Sequence, residues 1–552
     1  MRVEHFCNTF DLWGARMRIS LGRTVVALGL LTAVATTAST AGAGAPTDKQ
    51  QAAAVVARYS AAVSPVAGID PQCFAPQVRI DPKVDAAGHP TNPDWIARDT
   101  VNQYCATLRL RDQVASPAFG YTNLTTGAAL YAEQALEQVA DGPGHLHGGF
   151  TTLVPGSQAA DPYRSIERWT ARTGGKVQRV AFPALDGAQL RGHLWLPPAS
   201  VPKPKGGYPG VVITDGSVQA YEQLYYWAAQ GLAQYGYQVL TYDVQGQGDS
   251  DLLPASCTPS SCPGVPYQQN YNFHQGAEDS LSWFLSAKNP GRASLDASKV
   301  GIAGHSAGAS AVSWVGQCDS RVKAIVAWDD LAVVDPKQCT TDVTIPKAYQ
   351  AKTLHTPALG TTNDYEFNVQ PATTVPNPHG DTNTGGLNGD SGYVSLAKAG
   401  VDSQLVSFRN GTHLTYSYIP LVLPSNQLSE RFAFYYTLAW FDAYLRGGTN
   451  PFTAQSAFRR LTSVGAYDDS ADRNSKGLVG FGTGVYDPAL AAASPTDPEA
   501  GNVPYAVKGV SIPDSLSFYY LSGYRLTDPT TRRVVTCNDL VAHCPRSRPA
   551  TP

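Results

Sequence analysis

Five consecutive residues near the middle of the chain, Gly304-His305-Ser306-Ala307-Gly308, fit the pattern Gly-x-Ser-x-Gly. This pattern is typical of a strained strand-to-helix turn that presents a serine hydroxyl as a nucleophile. The chain holds 51 glycines, so the five residues alone are weak evidence. Their context strengthens it, because the strand-like run "KVGIAG" precedes the serine and the helix-compatible run "AGASAVSWVGQ" follows it. We therefore predict that Ser306 is a nucleophile.

A serine hydroxyl is a weak nucleophile at neutral pH and needs a general base beside it. Among the histidines that follow Ser306, His413 lies in "FRNGTHLTY", directly after the last predicted strand, and is the predicted base. His355 precedes its strand and would lie at the wrong end of the sheet. His379 lies in the middle of a loop, and His543 lies between two cysteines far along the chain.

The base in turn needs an acid that orients its ring. Asp364, in "PALGTTNDYEF", comes just past the strand before the His413 strand and is the predicted acid. Glu366 is the alternative in the same loop. Asp329 and Asp330, which end the strand "VKAIVAWDD", are third choices, and loop capping would equally explain them.

Hydrolysis through an acyl-enzyme also needs two backbone N–H groups that stabilise the oxyanion. One belongs to Ala307, the residue after the nucleophile. The other is expected from the loop after the run "GVVIT", with Ser217 as the first choice and Val218 as the next. The same loop could also be an ordinary connection between a strand and a helix.

Four aromatic residues follow this loop: Tyr221, Tyr225, Tyr226 and Trp227. Some of them could line a substrate pocket. Helix packing explains most of them equally well, so the sequence assigns none of them a role.

Short apolar runs separated by helical stretches predict the elements that position these residues. The runs are "GVVIT" (210–214), "YQVLTYDV" (237–244), "KVGIAG" (299–304), "VKAIVAWD" (322–329), "PALGTT" (357–362) and "QLVSFRN" (404–410). Before them, "VQRVAFPA" and "LRGHLWLP" flank the turn Asp186-Gly187 and predict a hairpin. Buried strands that alternate with helices predict an α/β fold, a mostly parallel sheet with helices on both faces.

Residues 177 to 447 resemble the α/β-hydrolase superfamily. The motifs that carry the resemblance are "LDGAQLRGHLWLPP", "GVVITDG", "YDVQGQGDSD", "GHSAG", "ALGTTND", "NGTH" and "YYTLAWFDAYLRGG". They are most similar to secreted serine esterases and dienelactone-hydrolase-like members, with some likeness to acetyl esterases and prolyl-oligopeptidase-type peptidases. The resemblance implies the α/β-hydrolase fold and the chain order Ser306, Asp364, His413, with no cofactor. One departure is Asp-Gly-Ser in the first oxyanion loop, where many members carry His-Gly.

The sequence divides into four parts. Residues 1–45 are predicted as a signal peptide region with translation starting at Met17, 46–174 as a mainly helical segment, and 175–447 as the catalytic α/β-hydrolase domain. Residues 448–552 form a C-terminal extension, either a small appended unit or a strap across the catalytic domain. The segments before 175 and after 447 fit no family pattern.

The stretch "MRISLGRTVVALGLLTAVATTASTAGAGA", which begins at Met17, has the organisation of a secretory signal peptide. Arg18 and Arg23 form a basic region, an apolar stretch follows, and small residues supply a cleavage site. Its apolar part is short for a bilayer span, so an anchor helix is the weaker alternative. We therefore predict a secreted, extracellular protein without a stable membrane anchor.

The cysteines fit an oxidising compartment. Of the nine in the chain, Cys7 lies in the leader and the others fall as sequence neighbours: Cys73 and Cys105, Cys257 and Cys262, Cys318 and Cys339, Cys537 and Cys544. Pairing between neighbours is the simplest of many connectivities, and disulfides are the expected state. No Cys-x-x-Cys spacing or histidine cluster supports zinc.

Two glycine-rich loops have a ligand-binding alternative. The loop "HGDTNTGGLNGDSG" (379–392) begins like a calcium loop, but Gly392 stands where a bidentate glutamate is needed. The run "GQGDS" (246–250) lacks the third glycine of a dinucleotide-binding loop, and we predict a structural turn. No metal is therefore expected.

The overall charge argues against two classes of partner. Only 15% of the residues are charged and the net charge is −3, so neither nucleic-acid binding nor electrostatic membrane binding is expected.

The sequence thus predicts a secreted serine hydrolase that cleaves carboxylic ester bonds in a substrate of unknown size. A serine peptidase or amidase of the prolyl-oligopeptidase type is the alternative, and a non-catalytic binding protein on a hydrolase scaffold is the third hypothesis. The oligomeric state stays open.

Overall fold

The computed structural model of this chain contains a ten-stranded sheet at its centre. The described residues are 93, 132, 135–142, 145–148, 165–217, 220–254, 270–329, 331–363, 392–408, 416–417, 427–447, 451–462, 484–486, 502–504 and 519–537. The described strands are β1 (Lys176–Pro183), β2 (Gln189–Leu196), β3 (Tyr208–Thr214), β4 (Gln238–Tyr242), β5 (Leu295–His305), β6 (Val322–Trp328), β7 (Ala358–Asn363), β8 (Ser403–Phe408), β9 (Gly484–Tyr486), β10 (Asn502–Pro504), β11 (Tyr519–Thr527) and β12 (Val534–Cys537).

The order of the strands in this sheet is β1-β2-β4-β3-β5-β6-β7-β8-β11-β12. Strands β3 to β8 run parallel to one another, whereas β1, β2, β11 and β12 pair antiparallel at the two ends. Each of the six runs that the sequence predicted as buried strands overlaps one of these parallel strands. Because parallel strands end at the same edge, the residues that follow β3, β5, β6, β7 and β8 emerge on one side of the sheet.

Helices connect the strands. They are α1 (Ile166–Thr173), α2 (Tyr226–Gln234), α3 (Asn270–Leu285), α4 (Ala307–Cys318), α5 (Pro336–Cys339), α6 (Gly392–Lys398), α7 (Gln427–Phe441) and α8 (Pro451–Leu461). Residues 135–141 are also helical. Within the described part of the chain, no helix is long and apolar enough to cross a membrane.

The two faces of the sheet bury two separate cores. Val211 and Ile213 of β3 face the core that contains α2 and α7, whereas Val212 faces the core that contains α3, α4 and α6. This alternation follows the two-residue period of a strand. The predicted α/β class, with a mostly parallel sheet and helices on both faces, is confirmed.

The first two strands form the hairpin that the sequence predicted at Asp186-Gly187. Pro183 pairs with Gln189, and the Ala184 N–H donates to the Ala188 carbonyl at 2.7 Å. Gly187 has φ of 86°, a conformation that glycine adopts without steric cost.

The C-terminal part of the chain supplies two strands to the same sheet. β11 pairs antiparallel with β8, with Tyr524 opposite Gln404, and β12 pairs with β11. β11 therefore continues the sheet beyond the parallel strands. β9 and β10 form a separate two-stranded sheet.

A disulfide joins the last residues of α4 and α5. Cys318 and Cys339 are both buried and their Cα atoms lie 4.9 Å apart, which confirms one predicted neighbour pair. Cys537 is also disulfide-bonded, to a partner outside the described residues. The remaining cysteines predicted to pair, Cys73, Cys105, Cys257, Cys262 and Cys544, lie outside the described residues.

Candidate active site

Ser306 occupies a sharp turn between β5, which ends at His305, and α4, which begins at Ala307. Its backbone has φ of 57° and ψ of −122°, a conformation that disfavours any residue with a Cβ atom. Holding a non-glycine residue there costs about 1–3 kcal/mol, and such strain is concentrated at functional sites. The strand–turn–helix context that the sequence predicted around Ser306 is confirmed.

The two glycines of the pattern allow this turn. A Cβ atom on Gly304 would lie 2.4 Å from the Gly308 carbonyl oxygen, and one on Gly308 would lie 2.2 Å from the Asp215 carbonyl oxygen. These contacts are with backbone atoms, which cannot rotate away as a side chain can. The first turn of α4 therefore packs directly against the end of β3 and the loop that follows it.

The first N–H groups of α4 lie beside Ser306. The Ser310 N–H donates to the Ser306 carbonyl at 3.1 Å, the first intrahelical bond that involves the turn. The N–H groups before it, including that of Ala307, have no acceptor within a regular α-helix. The partial positive charge of a helix N-terminus favours an anion at this place.

The ends of the next strands are bound to one another across the same edge. The Ser306 N–H donates to the Trp328 carbonyl at 3.0 Å, and the Asp329 N–H donates to the Thr361 carbonyl at 2.7 Å. At the end of β7, Asn363 pairs with Phe408 of β8. The chain therefore leaves β5, β6, β7 and β8 at neighbouring points.

The predicted acid and base follow two of these strand ends in the chain. Asp364 is the residue after Asn363, and His413 follows Phe408 by a short stretch of chain. Both side chains lie outside the described residues, as do the alternatives Glu366 and Asp330. Their roles therefore stay predictions.

Asp329, a third choice for the acid, lies among the residues that the structure describes. It is buried and has φ of 48°, directly after β6. Aspartate adopts such a left-handed conformation more readily than most residues. The position is at the same sheet edge as Ser306, so the structure keeps Asp329 as an alternative acid.

His355, which the sequence predicts at the wrong end of the sheet for a catalytic base, also lies among the described residues. His355 lies before β7, at the edge opposite Ser306, where it is exposed and its Nδ1 lies 3.0 Å from the Thr353 carbonyl oxygen. This position confirms that His355 is at the wrong end of the sheet. His379 and His543 lie outside the described residues.

The loop after β3, which the sequence predicted to supply an oxyanion N–H, approaches the Ser306 turn closely. A Cβ atom on Gly216 would lie 3.1 Å from His305 Nδ1 and 3.3 Å from the His305 carbonyl oxygen. Ser217 follows Gly216 and is half-buried. Val218, the other candidate, lies outside the described residues.

Two buried side chains hold the Gly216 backbone. The Gly216 N–H donates to Tyr225 Oη at 3.0 Å, and Gln247 Nε2 donates to the Gly216 carbonyl oxygen at 2.8 Å. Tyr225 Oη also lies 2.8 Å from His305 Nδ1. The sequence assigned Tyr225 no role and read the Gln247 turn as purely structural.

Acidic side chains are buried behind this loop. Burial raises the pKa of Asp215 well above its ordinary value, and the nearby Asp243 carboxyl raises this pKa further. Burial, and then Glu222, likewise raise the pKa of Asp243. Burial therefore works against a negative charge on either carboxyl behind the Ser306 turn.

The turn "GQGDS" is built around Asp243. The Asp249 N–H donates to Asp243 Oδ2 at 2.8 Å, and a Cβ atom on Gly248 would lie 2.1 Å from the same oxygen. Gly248 has φ of 48°. These contacts confirm a structural turn. The predicted calcium-like loop lies outside the described residues except for Gly392, and the described part of the chain contains no cluster of metal-ligating side chains.

No protein-family model matches the chain. Thiohydrolase apmlB from Arthrinium phaeospermum is 32% identical over 153 residues, which are 28% of this chain and 43% of that protein. Hydrolase LUC6 from a Fusarium species is 40% identical over 74 residues, which are 13% of this chain and 17% of that protein. Each match therefore spans less than half of the relative. Both names support a hydrolase.

Proposed function

We propose that this protein is a secreted serine hydrolase with an α/β-hydrolase fold that cleaves carboxylic ester bonds. The observation that carries the proposal is the left-handed Ser306 turn between β5 and α4, packed against the loop after β3. A strained turn of this kind is the feature that exposes a nucleophilic serine above a parallel sheet. The two hydrolase-named relatives support the same class.

In the proposed reaction, His413 accepts the Ser306 hydroxyl proton while Oγ attacks the ester carbonyl carbon. Asp364 orients the His413 ring, and the N–H groups of Ser217 and Ala307 stabilise the oxyanion. His413 then gives its proton to the departing alcohol, which leaves an acyl group on Ser306. Water, deprotonated by His413, attacks the acyl carbonyl and releases the acid as Ser306 regains its proton.

Thioester hydrolysis is a second candidate, favoured by the name of the relative thiohydrolase apmlB. The same attack on a carbonyl carbon would release a thiol instead of an alcohol. Amide or peptide hydrolysis is the further alternative, because the same groups serve it when the leaving amine is protonated. A scaffold that only binds its ligand would leave all three substrates intact.

The test compares the purified protein with Ser306→Ala. We expect the wild type to hydrolyse short p-nitrophenyl esters, and Ser306→Ala to lose at least about 10³-fold of this activity while keeping its circular dichroism spectrum. A fluorophosphonate probe should attach one phosphonyl group to each wild-type chain, seen as an increase in mass, and none to the variant. Retained turnover in Ser306→Ala would overturn the proposal.

A substrate panel separates the candidates. Matched acyl groups would be offered as p-nitrophenyl esters, as N-acetylcysteamine thioesters and as prolyl or aminoacyl amides. The highest kcat/KM identifies the bond that the site favours. Absence of turnover and of fluorophosphonate labelling would favour the binding protein.

A further inference from the structure

The peptide between Gly216 and Ser217 contains the N–H group proposed to stabilise the oxyanion. Gln247 Nε2 donates to the Gly216 carbonyl oxygen of this same peptide at 2.8 Å. In a planar trans peptide the C=O and N–H bonds point in opposite directions. The Gln247 amide therefore fixes the direction of the Ser217 N–H, which points away from it.

Gln247 is itself held in place. Its side chain is fully buried, and the Nε2 group, which has two hydrogens, also lies 3.2 Å from Asp215 Oδ2. One hydrogen is available for each acceptor. The amide therefore bridges the Asp215 side chain and the Gly216 backbone. Loss of either hydrogen bond would leave one of these two groups without its contact to Gln247.

Tyr225 holds the preceding peptide. Its hydroxyl accepts the Gly216 N–H at 3.0 Å and lies 2.8 Å from His305 Nδ1. Because a neutral tyrosine has one hydroxyl proton, we assign that proton to the bond with Nδ1, which makes the His305 ring the acceptor. Burial, and then Asp215, raise the pKa of Tyr225 well above its ordinary value, so the hydroxyl keeps its proton.

The Tyr225 ring also packs against the strand that binds Ser306. It stacks on Trp328 with ring centroids 6.3 Å apart and planes 8° apart. The Trp328 carbonyl accepts the Ser306 N–H. One side chain therefore links the loop after β3, the residue before Ser306 and the end of β6.

We propose that Gln247 and Tyr225 are positioning residues, which together aim the Ser217 N–H at the oxyanion that forms on Ser306 attack. Neither touches the substrate. The proposal rests on the proposed hydrolase function and adds to it the side chains that hold the oxyanion loop in register with the nucleophile.

The test uses Tyr225→Phe, which removes the hydroxyl, and Gln247→Met, which replaces the whole side-chain amide by an apolar chain of similar length. An oxyanion contact is made in the transition state, so kcat for the p-nitrophenyl ester should fall roughly 10- to 100-fold in each variant with KM little changed. The affinity for an aryl trifluoromethyl ketone, which forms a tetrahedral adduct with a nucleophilic serine, should fall by a similar factor.

Two matched controls separate positioning from stability. Tyr237→Phe removes a buried hydroxyl that lies 2.8 Å from Asp442 Oδ1, and Gln238→Met removes a buried amide that donates to the Gly291 carbonyl at 2.9 Å. Both lie at the other end of β4. We expect these controls to lower the melting temperature as the test variants do, while kcat and the inhibitor affinity stay at the wild-type value.

The outcomes distinguish this proposal from the function on which it rests. Wild-type kcat in both Tyr225→Phe and Gln247→Met, with Ser306→Ala inactive, would overturn the positioning role and leave the hydrolase intact. Equal losses in test and control variants would also overturn it. Activity in Ser306→Ala would instead overturn the proposed function.

Discussion

The amide N–H of Ser306 donates to the carbonyl oxygen of Trp328 at 3.0 Å, so the residue in the left-handed turn remains bound to the neighbouring strand β6. On the other side, Gly308 lets α4 approach the Asp215 carbonyl. The surrounding backbone therefore holds Ser306 in a conformation that its own Cβ atom disfavours. Removing the Cβ atom should release that strain.

We expect Ser306→Gly to be more stable than Ser306→Ala by about 1 kcal/mol, although both lack the hydroxyl and should be inactive. Relief of a strain of about 1–3 kcal/mol outweighs the greater unfolded-state entropy of glycine, about 0.4–1 kcal/mol. Urea unfolding of the two variants measures the difference. Equal stability, or a more stable alanine variant, would show that the turn is not strained.

Gly308→Ala should lower both stability and activity. Its Cβ atom would lie 2.2 Å from the Asp215 carbonyl oxygen and 2.5 Å from that of Thr214, so α4 must move away from β3 at a cost of about 1–3 kcal/mol. Gly276→Ala in α3 is the control, since the atoms nearest to its Cβ atom would be those of the Tyr242 side chain, at an ordinary contact distance of 3.4 Å. That control should gain about 0.5–1 kcal/mol in urea unfolding. A neutral effect at Gly308 would contradict the close approach.

The acid of the proposed triad can be identified by three isosteric variants. We expect Asp364→Asn to lower kcat roughly 10³- to 10⁴-fold, because the His413 ring loses its orienting partner. Glu366→Gln and Asp329→Asn should stay within about threefold of the wild type, as residues outside the catalytic unit do. If Asp329→Asn shows the large loss and Asp364→Asn does not, the acid follows β6 instead of β7.

The stability of the protein should depend on pH through Glu278 of α3. Burial, and then Asp319, raise the pKa of Glu278 to about 9, against the opposing effect of Arg321. The folded state thus keeps a proton that the unfolded state releases near the ordinary value. This contribution to the free energy of unfolding is fully present below that value and is lost as the pH rises toward about 9.

Glu278→Gln removes this titration. Its melting temperature relative to the wild type should therefore increase from about pH 5 to about pH 9, as follows from the linkage between proton binding and stability. Glu167→Gln makes the same chemical change at an exposed carboxyl of α1 and is the control. A parallel pH course for wild type and Glu278→Gln would refute the assignment.

The disulfide between Cys318 and Cys339 should contribute about 3 kcal/mol to the free energy of unfolding, given the sequence separation of 21 residues. Replacing both cysteines by serine should lower the urea midpoint accordingly. The ester hydrolysis rate at 25 °C should change little, because the bridge joins the ends of α4 and α5 that lie away from Ser306. An unchanged midpoint would mean that the α5 segment is held by other contacts.

The sequence predicted the parallel strands and the Ser306 turn because both are encoded locally. Strands buried on two faces read as continuous apolar runs. The glycines around Ser306 lie within a few residues of one another and mark two close backbone approaches, of Gly304 to Gly308 and of Gly308 to Asp215. The roles of Asp364 and His413 stay predictions.

The place of β11 in the sheet and the support of the Gly216 loop depend on contacts between distant parts of the chain. Local sequence patterns do not encode such contacts. β11 reads as a strand, but nothing in its residues specifies β8 as its neighbour. The bonds from Tyr225 and Gln247 to Gly216 likewise join separate segments. The run "YDVQGQGDSD", which contains Gln247, is rich in polar residues. The structure buries most of them, and buried polar side chains need hydrogen-bond partners.

The pairing of β11 with β8 also affects the order in which the protein can fold. During synthesis β8 is finished while α7, α8 and the chain up to Tyr519 are still to come. Until residues 519–537 emerge, β8 is an open edge with unpaired backbone groups, the kind of edge that recruits strands from other molecules. β11 and β12 then cover the β8 edge, which leaves β12, a strand of four residues, as the edge at this end of the sheet.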